Sequence, residues 1–261
     1  MHEFPKLMLD NPWLLISALL ISILLSILLG KMLGSRLLHG KPDGDVPGVG
    51  LIEGGVFALL GLLVALTFSS AVTRFDARRA LLVEEANAIG TAELRIDLLP
   101  ADVQPGMREA FARYKQSRID AYAQAENMPS FLAGLKRSNA IQTEIWAMSM
   151  QAGRRPDALP SANILMTPAL NAMFDITTTR AMAMVTHTPK VVYIVMWISA
   201  LIASFLAGNA MAKSRQISWI HSISFAFIMT LALYAMIDIE YPRIGFANLD
   251  SFVAVLKQIA G

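Results

Sequence analysis

The chain has 261 residues, of which 55% are hydrophobic and 16% are charged, and it contains no cysteine. The absence of cysteine excludes disulfides and thiolate metal sites. A formal net charge of +2 gives no indication of a nucleic-acid partner, and we expect none. The mean hydropathy of +0.50 instead indicates a membrane protein.

Four apolar stretches stand out along the chain: residues 13–30, 54–73, 191–212 and 217–237 contain no Lys, Arg, Asp or Glu. Crossing a hydrocarbon core of roughly 30 Å takes about 20 helical residues, so each stretch is long enough to span a bilayer. We therefore predict transmembrane helices at residues 13–33, 50–73, 190–212 and 217–238.

An even number of crossings places both termini on one side, together with the middle segment 74–189 and the tail 239–261. Basic residues close to the membrane are more numerous on that side than on the other. The positive-inside rule therefore predicts that both termini and the middle segment are cytoplasmic. We expect a multi-pass protein of the cell membrane, with the lipid bilayer as its surroundings.

The middle segment shows helical periodicity and no alternating strand pattern. The second span continues past Arg74 to Leu99 without Gly or Pro except Gly90, and its apolar stripe is Leu82, Ala86, Ile89 and Ile96, interrupted by Glu93. A second helix carries Met107, Phe111, Tyr114, Arg118 and Ala121 on one side. Thr167 and Pro168 resemble an N-cap followed by proline at the first helical position, so a further helix is predicted to begin there.

These patterns define the predicted fold class: an all-α integral membrane protein with four transmembrane helices. A helical cytoplasmic bundle lies between the second and the third of them.

Two polar groups in the middle segment attract attention. Glu84 and Glu85 have no basic residue three or four positions away, so pairing within their own helix cannot neutralise them. They either lie on a solvated helix face or find a distant partner. Arg180 follows three consecutive threonines, which are poor helix formers unless their hydroxyls are used. We predict a buried polar network that fixes helix register, comprising Glu84, Glu85, Asn87, Asp175, Thr178 and Arg180.

A third polar group, Asp238 and Glu240, follows the last span. Next to Tyr241, Pro242 and Arg243, these residues are typical of an interfacial helix end. The alternative is that the two carboxylates bind a cation or line a pore vestibule, and the sequence leaves the identity of any metal unknown.

Small residues recur along the sides of three spans. They are Gly30 and Gly34 near the first, Gly54, Ala58, Gly61, Ala65 and Ser69 in the second, and Ala200, Ser204, Gly208 and Ala212 in the third. In lipid, small side chains let helices approach closely, so tight packing within the helix bundle is expected from these stripes.

Larger side chains with the same helical spacing lie beside the second stripe, and hydroxyls follow at its cytoplasmic end. Repeated around a symmetric ring, this side would form an apolar constriction leading to a hydroxyl-lined mouth. The pore-lining candidates are Phe57, Gly61, Val64, Thr67, Phe68 and Ser69. Four helices enclose too little space for a pore, so a channel would be a homo-oligomer.

Three runs resemble a family of mainly bacterial membrane proteins described as bestrophin-like: VEEANAIGTAELRIDLLP, PALNAMFDITTTR and DIEYPRIG. The resemblance implies a four-span protein of the bacterial inner membrane, related to pentameric, chiefly anion-conducting channels whose second helix lines a narrow neck. The bestrophin neck's proline-bearing motif and the acidic calcium-binding run are not found in this sequence, so calcium gating is not carried over.

From these observations we expect a homo-oligomeric, anion-conducting channel whose partners are its own copies and inorganic ions. The alternative is a non-conducting, membrane-anchored scaffold or sensor that acts through its cytoplasmic bundle. No phosphate loop, metal-binding helix motif or nucleophile elbow occurs, so we expect neither an enzyme nor a cofactor.

Overall fold

A computed structural model describes residues 11–38, 48–124, 127–213 and 217–241. Seven α-helices account for most of them: α1 Pro12–Leu38, α2 Val49–Leu94, α3 Gln104–Ala123, α4 Met128–Ala152, α5 Pro160–Val185, α6 Lys190–Ala210 and α7 Trp219–Glu240. Short 3₁₀ turns follow α2 at Arg95–Leu98 and α6 at Met211–Lys213. The described residues contain no strand, and the all-α fold is confirmed.

Four helical stretches are long and apolar enough to cross a membrane: Pro12–Arg36, Val49–Leu98, Pro160–Ala210 and Trp219–Glu240. The 46 residues of α2 would extend about 69 Å, more than twice the hydrocarbon thickness of about 30 Å. A large part of this helix therefore has to lie outside the hydrocarbon core, and the prediction that the helix continues past Arg74 is confirmed.

The chain divides into two compact units. Within the described residues, the span unit comprises residues 11–75 and 187–241, and the bundle unit comprises residues 76–186. α2 contributes to both units, because the boundary falls between Phe75 and Asp76.

In the span unit, α1 packs most closely on α6 through glycines. A Cβ atom at Gly30 would lie 2.0 Å from the Phe205 carbonyl oxygen, and one at Gly208 would lie 2.0 Å from that of Ile27. Only glycine permits this approach. In lipid the hydrophobic effect does not drive helices together, so close backbone contact of this kind stabilises their packing. The hydroxyl of Ser26 also donates to the Leu201 carbonyl at 2.7 Å.

In the bundle unit, the helices enclose an apolar core because each carries a stripe at helical spacing. The predicted stripe of α3 is fully inside, including Met107, Phe111 and Tyr114. It packs with Ile89 of α2 and with residues of α4 and α5, among them Ile145. Burial of each such side chain stabilises the bundle by about 1.5–3 kcal/mol.

One predicted helix boundary is wrong. α5 begins at Pro160, with proline in the first turn, so Pro168 lies inside the helix and Thr167 is not its N-cap. Both Pro160 and Pro168 could begin a helix. Proline is favoured in the first turn because the N–H groups there make no hydrogen bond within the helix, so the lack of one costs nothing. Burial of Ala162 and Met166 in the core explains why the helix extends upstream of Pro168.

Candidate functional site

The α2 helix of the span unit has a packed side and an uncovered side. Residues 57, 60, 64, 67 and 71 recur at helical spacing and are buried or half-buried. Leu60 belongs to an apolar cluster with residues of α1, α6 and α7, and Phe57 and Val64 pack against it. The Phe57 ring also meets the Phe225 ring edge to face, with centroids 6.1 Å apart. This side packs α2 against the other apolar helices of the span unit.

The uncovered side carries the small-residue stripe. Gly54, Ala58, Gly61 and Ala65 are all exposed, and a Cβ added at either glycine would meet no atom of the described residues within 4 Å. Phe68 is 40% exposed, and Ser69 follows it on the surface. The stripe therefore does not mediate packing among the described helices of the chain, which corrects the expectation for this span.

The predicted pore-lining residues are divided by this geometry. Gly61, Phe68 and Ser69 are exposed, whereas Thr67 is buried and Phe57 and Val64 are half-buried. The row 57–61–64–68 runs along the border between the two sides. Helical spacing predicts that the four residues of this row lie along one line, but periodicity alone does not show which neighbour the line faces.

The acidic residues at the end of α7 are engaged within the span unit. The Glu240 carboxylate is fully buried and accepts from Arg74 Nε at 3.0 Å and Nη2 at 2.7 Å. It also accepts from the Thr188 backbone N–H at 3.0 Å and lies 3.5 Å from His187 Nδ1. The His187 ring stacks on Tyr241, with centroids 4.6 Å apart. Glu240 thus joins α2 and α7 to the residues that precede α6.

This arrangement does not favour a cation site, which was the alternative to an interfacial helix end. Asp238 is buried and accepts from the Tyr234 hydroxyl at 3.0 Å, and the oxygens of Glu240 are occupied by donors. The described residues contain no group of three or more His, Cys, Asp or Glu side chains that could hold a metal. The interfacial reading explains Asp238 and Glu240 better, because bound arginine and hydroxyl groups satisfy them. Pro242 and Arg243 lie outside the described residues.

The bundle unit contains a buried charged cluster, formed by Glu85 of α2, Arg118 and Tyr122 of α3, and Arg180 of α5. Glu85 is 0% exposed, Arg118 2% and Arg180 6%. Arg118 Nε donates to Glu85 Oε1 at 2.6 Å, and Arg180 Nη1 forms an ion pair with Glu85 Oε2. One carboxylate therefore serves two guanidinium groups.

Tyr122 completes the buried charged cluster. Its hydroxyl accepts from Arg118 Nη2 at 2.6 Å, and the guanidinium carbon of Arg180 lies 3.6 Å from the centre of its ring. A cation over a desolvated aromatic face is stabilised by about 2 kcal/mol. Removing one partner of a buried ion pair costs about 3–5 kcal/mol, so this cluster strongly constrains how α2, α3 and α5 pack.

The structure brings together two of the six residues predicted to form a network, Glu85 and Arg180. The other four are exposed: Glu84, Asn87, Asp175 and Thr178. The reason is helical phase, because Glu85 shares the buried stripe with Leu82 and Ile89 whereas Glu84 is turned about 100° away from it. Thr177, not Thr178, enters the interior.

Two partners of Glu85 or Arg180 were missed by the sequence reasoning. Arg118 was placed on the apolar stripe of α3, and a charged residue in such a stripe is itself a signal of a buried partner. Tyr122 lies four residues further along the same side. A neutral polar group lies in the same unit: the Tyr114 hydroxyl is 2.9 Å from Thr177 Oγ1, and Gln142 Nε2 donates to the Tyr114 hydroxyl at 3.1 Å.

The fold and these sites define a class of protein: an all-α membrane protein with four candidate spans and a helical bundle inserted after the second. The family model of the bestrophin-like domain matches residues 20–251. The chain belongs to the bestrophin-like family.

Solved structures with the same fold include a bacterial bestrophin homologue from Klebsiella pneumoniae. It matches with a TM-score of 0.69 and 13% identity, covering 92% of this chain and 96% of that one. A variant of that homologue matches with a TM-score of 0.70 and 13% identity, covering 94% and 96% of the two chains. Identity this low shows a shared fold and nothing more specific. Comparison with curated protein sequences found no match.

Proposed function

We propose that the chain is the subunit of a homo-oligomeric, anion-conducting channel of the cell membrane, with a pore lined by the uncovered side of α2. Five subunits are expected from the family resemblance. In this proposal both termini and residues 74–189 are cytoplasmic, and the buried charged cluster holds the bundle in register.

The observation that carries the proposal is the uncovered state of α2. Of its most apolar 18 residues only 6% are buried, against 28% in the candidate span Pro12–Arg36 and 33% in Trp219–Glu240. Within the described part of the chain, its exposed small side has no partner atom within 4 Å of a Cβ built on Gly54 or Gly61. Such a stripe is suited to lining a narrow passage, because glycine and alanine leave room around a central axis.

Within the row 57–61–64–68, Phe68 is the large apolar side chain that is exposed, so it is the proposed constriction. Phe57 and Val64 are held by packing within the subunit and support the helix from behind. Ser69, Ser70 and Thr73 are exposed just beyond Phe68. Exposing hydroxyl groups to lipid would cost more free energy than exposing them to a water-filled pore mouth. Their O–H groups can also donate hydrogen bonds to an anion.

Planar bilayer recording of the purified full-length protein tests this proposal. We expect currents whose reversal potential follows a chloride gradient, and a larger unitary conductance in Phe68→Ala because the constriction loses its ring. Phe227→Ala is the matched control: Phe227 is 59% exposed on α7, away from the proposed pore, so its conductance should equal that of the wild type.

Three results would count against the proposal. Current-free bilayers for wild type and Phe68→Ala alike would favour the membrane-anchored scaffold. A reversal potential that follows the cation gradient would refute anion selectivity. Equal effects of Phe68→Ala and Phe227→Ala would show that the uncovered side of α2 does not line the pore.

A further inference from the structure

Two helices of the bundle unit, α2 and α4, pack on different sides of α3. Lys115 Nζ of α3 pairs with Glu93 of α2 at 3.2 Å, whereas Arg113 Nη2 of α3 pairs with Glu144 of α4 at 2.5 Å. Two residues along a helix are turned by about 200° from each other, so these pairs place α2 and α4 on nearly opposite sides of α3. The surfaces of α2 and α4 that point away from the bundle core therefore face in different directions.

The α2 outer face is a row of residues at helical spacing, all of them exposed: Ala80, Val83, Glu84, Asn87 and Leu94. Val83 is 51% exposed and Leu94 is 78% exposed. Among the described residues, the Glu84 carboxylate has no ion-pair partner. This face therefore combines apolar side chains with one uncompensated negative charge.

The α4 outer face is also exposed and consists of Leu132, Ala133, Lys136 and Ala140. Lys136 is turned by about 200° from Gly134, the buried glycine that packs closely against Ala121 of α3. Leu132 is 56% exposed, and the Lys136 ammonium pairs with no carboxylate in the described ranges. Asn139, turned by about 60° from Lys136, lies outside this face. The α4 outer face thus carries an uncompensated positive charge beside an exposed leucine.

We infer that the α2 outer face of one copy of this chain binds the α4 outer face of the next copy, with Glu84 opposite Lys136. The charges of the two faces are complementary, and their contact removes Leu94 and Leu132 from water. A second copy is the occupant because one chain carries both halves of the contact on different sides of its bundle. Each copy then binds one neighbour through α2 and another through α4, and such a head-to-tail contact closes into a ring. The inference rests on the homo-oligomer of the proposed function and assigns the surface through which the bundle units associate.

Disulfide cross-linking of the full-length protein in membranes tests the contact, because the chain has no native cysteine. Oxidation of the double variant Glu84→Cys/Lys136→Cys should give a ladder of covalent multimers on a non-reducing gel. A disulfide needs Cα atoms within about 7 Å of each other. The two positions lie on different sides of one bundle, so this bond can form only between copies. Each single variant should run as a monomer.

The matched control is Glu84→Cys/Gln116→Cys, since Gln116 is exposed on α3 and belongs to neither face. This pair should give no ladder. Light scattering of the purified protein then tests the charges. Glu84→Lys should weaken association about tenfold, because it turns an attraction into a repulsion of similar size. Lys136→Glu should do the same, and the two changes together should restore the wild-type assembly.

The inference is wrong if the protein is oligomeric but Glu84→Cys/Lys136→Cys gives no ladder, or gives no more than the control pair. Dimers of Glu84→Cys alone would also overturn it, because they show a two-fold contact between identical faces. Failure of the double charge swap to restore assembly would refute the pairing of Glu84 with Lys136. A ladder together with current-free bilayers would overturn the channel and leave this contact standing, whereas currents without a ladder would do the reverse.

Discussion

Replacing Gly208 by alanine is expected to destabilise the span unit, because the added methyl group has no room. A Cβ atom at this position would lie 2.0 Å from the Ile27 carbonyl oxygen, whereas real Cβ contacts essentially never fall below 3.0 Å. The backbones of α1 and α6 must therefore separate by at least about 1 Å, the difference between these distances. A gap of that size forfeits about a quarter to a half of the van der Waals attraction of the atoms that line it.

The expected loss follows from two opposing terms. Overpacking of a close contact costs about 1–3 kcal/mol, and alanine recovers about 0.5–1 kcal/mol of helix propensity relative to glycine. The net loss of about 1–2 kcal/mol lowers Tm by about 5 °C for a chain of this length. Thermal melting of the purified full-length protein in detergent measures it.

Gly61→Ala is the matched control, because a Cβ atom at Gly61 meets nothing within 4 Å among the described residues of its own chain. It gains helix propensity without a clash, so its Tm should stay at or slightly above the wild-type value. If Gly208→Ala has the same Tm as Gly61→Ala, the close approach of α1 and α6 is refuted.

Other parts of the molecule allow equally direct tests. Arg74→Gln should lower the free energy of unfolding by about 3 kcal/mol, because it leaves the fully buried Glu240 carboxylate without its arginine partner. Glu240→Gln should lower it by less, and equal losses of the two variants in chemical denaturation would contradict this asymmetry. Ser69→Cys, in a chain without native cysteine, should lose current when a charged thiosulfonate reagent is added. Ser17→Cys, at an exposed position of α1, should keep its current under the same treatment. Equal inhibition of the two variants would show that Ser69 does not line the pore. Asn139→Cys should be labelled by an impermeant maleimide only after cells are permeabilised, and labelling of intact cells would place the bundle outside.

The charged cluster shows how far the sequence reaches. The prediction of a network that includes Glu85 and Arg180 came from the lack of a local counter-ion and from an arginine beside unusual threonines, and the structure places these two residues in contact. Helical phase separates Glu85 from Glu84, and that distinction was available from the buried stripe. The hydrogen bond between Arg118 and Glu85 could not be predicted from the sequence, because the two residues lie 33 positions apart on different helices.

The second span gives the complementary lesson. Its length, its apolar character and the line of residues from Phe57 to Phe68 follow directly from composition and helical spacing. Which side of that line is covered depends on the positions of α1, α6 and α7, and these place Phe57 and Val64 against the apolar core of the span unit. Spacing within one helix carries no information about neighbouring helices, so only the packing of those helices determines that Phe68 is exposed.

Membrane spans, helices and the bestrophin-like resemblance are readable in the amino-acid order because each depends on neighbours within a few turns or on runs of residue types. The glycine contact between α1 and α6, the saturation of Glu240 by Arg74 and the buried Arg118 join residues from distant parts of the chain. Their geometry arises only when helices pack, since a side chain's partner is set by three-dimensional proximity and not by spacing along the chain.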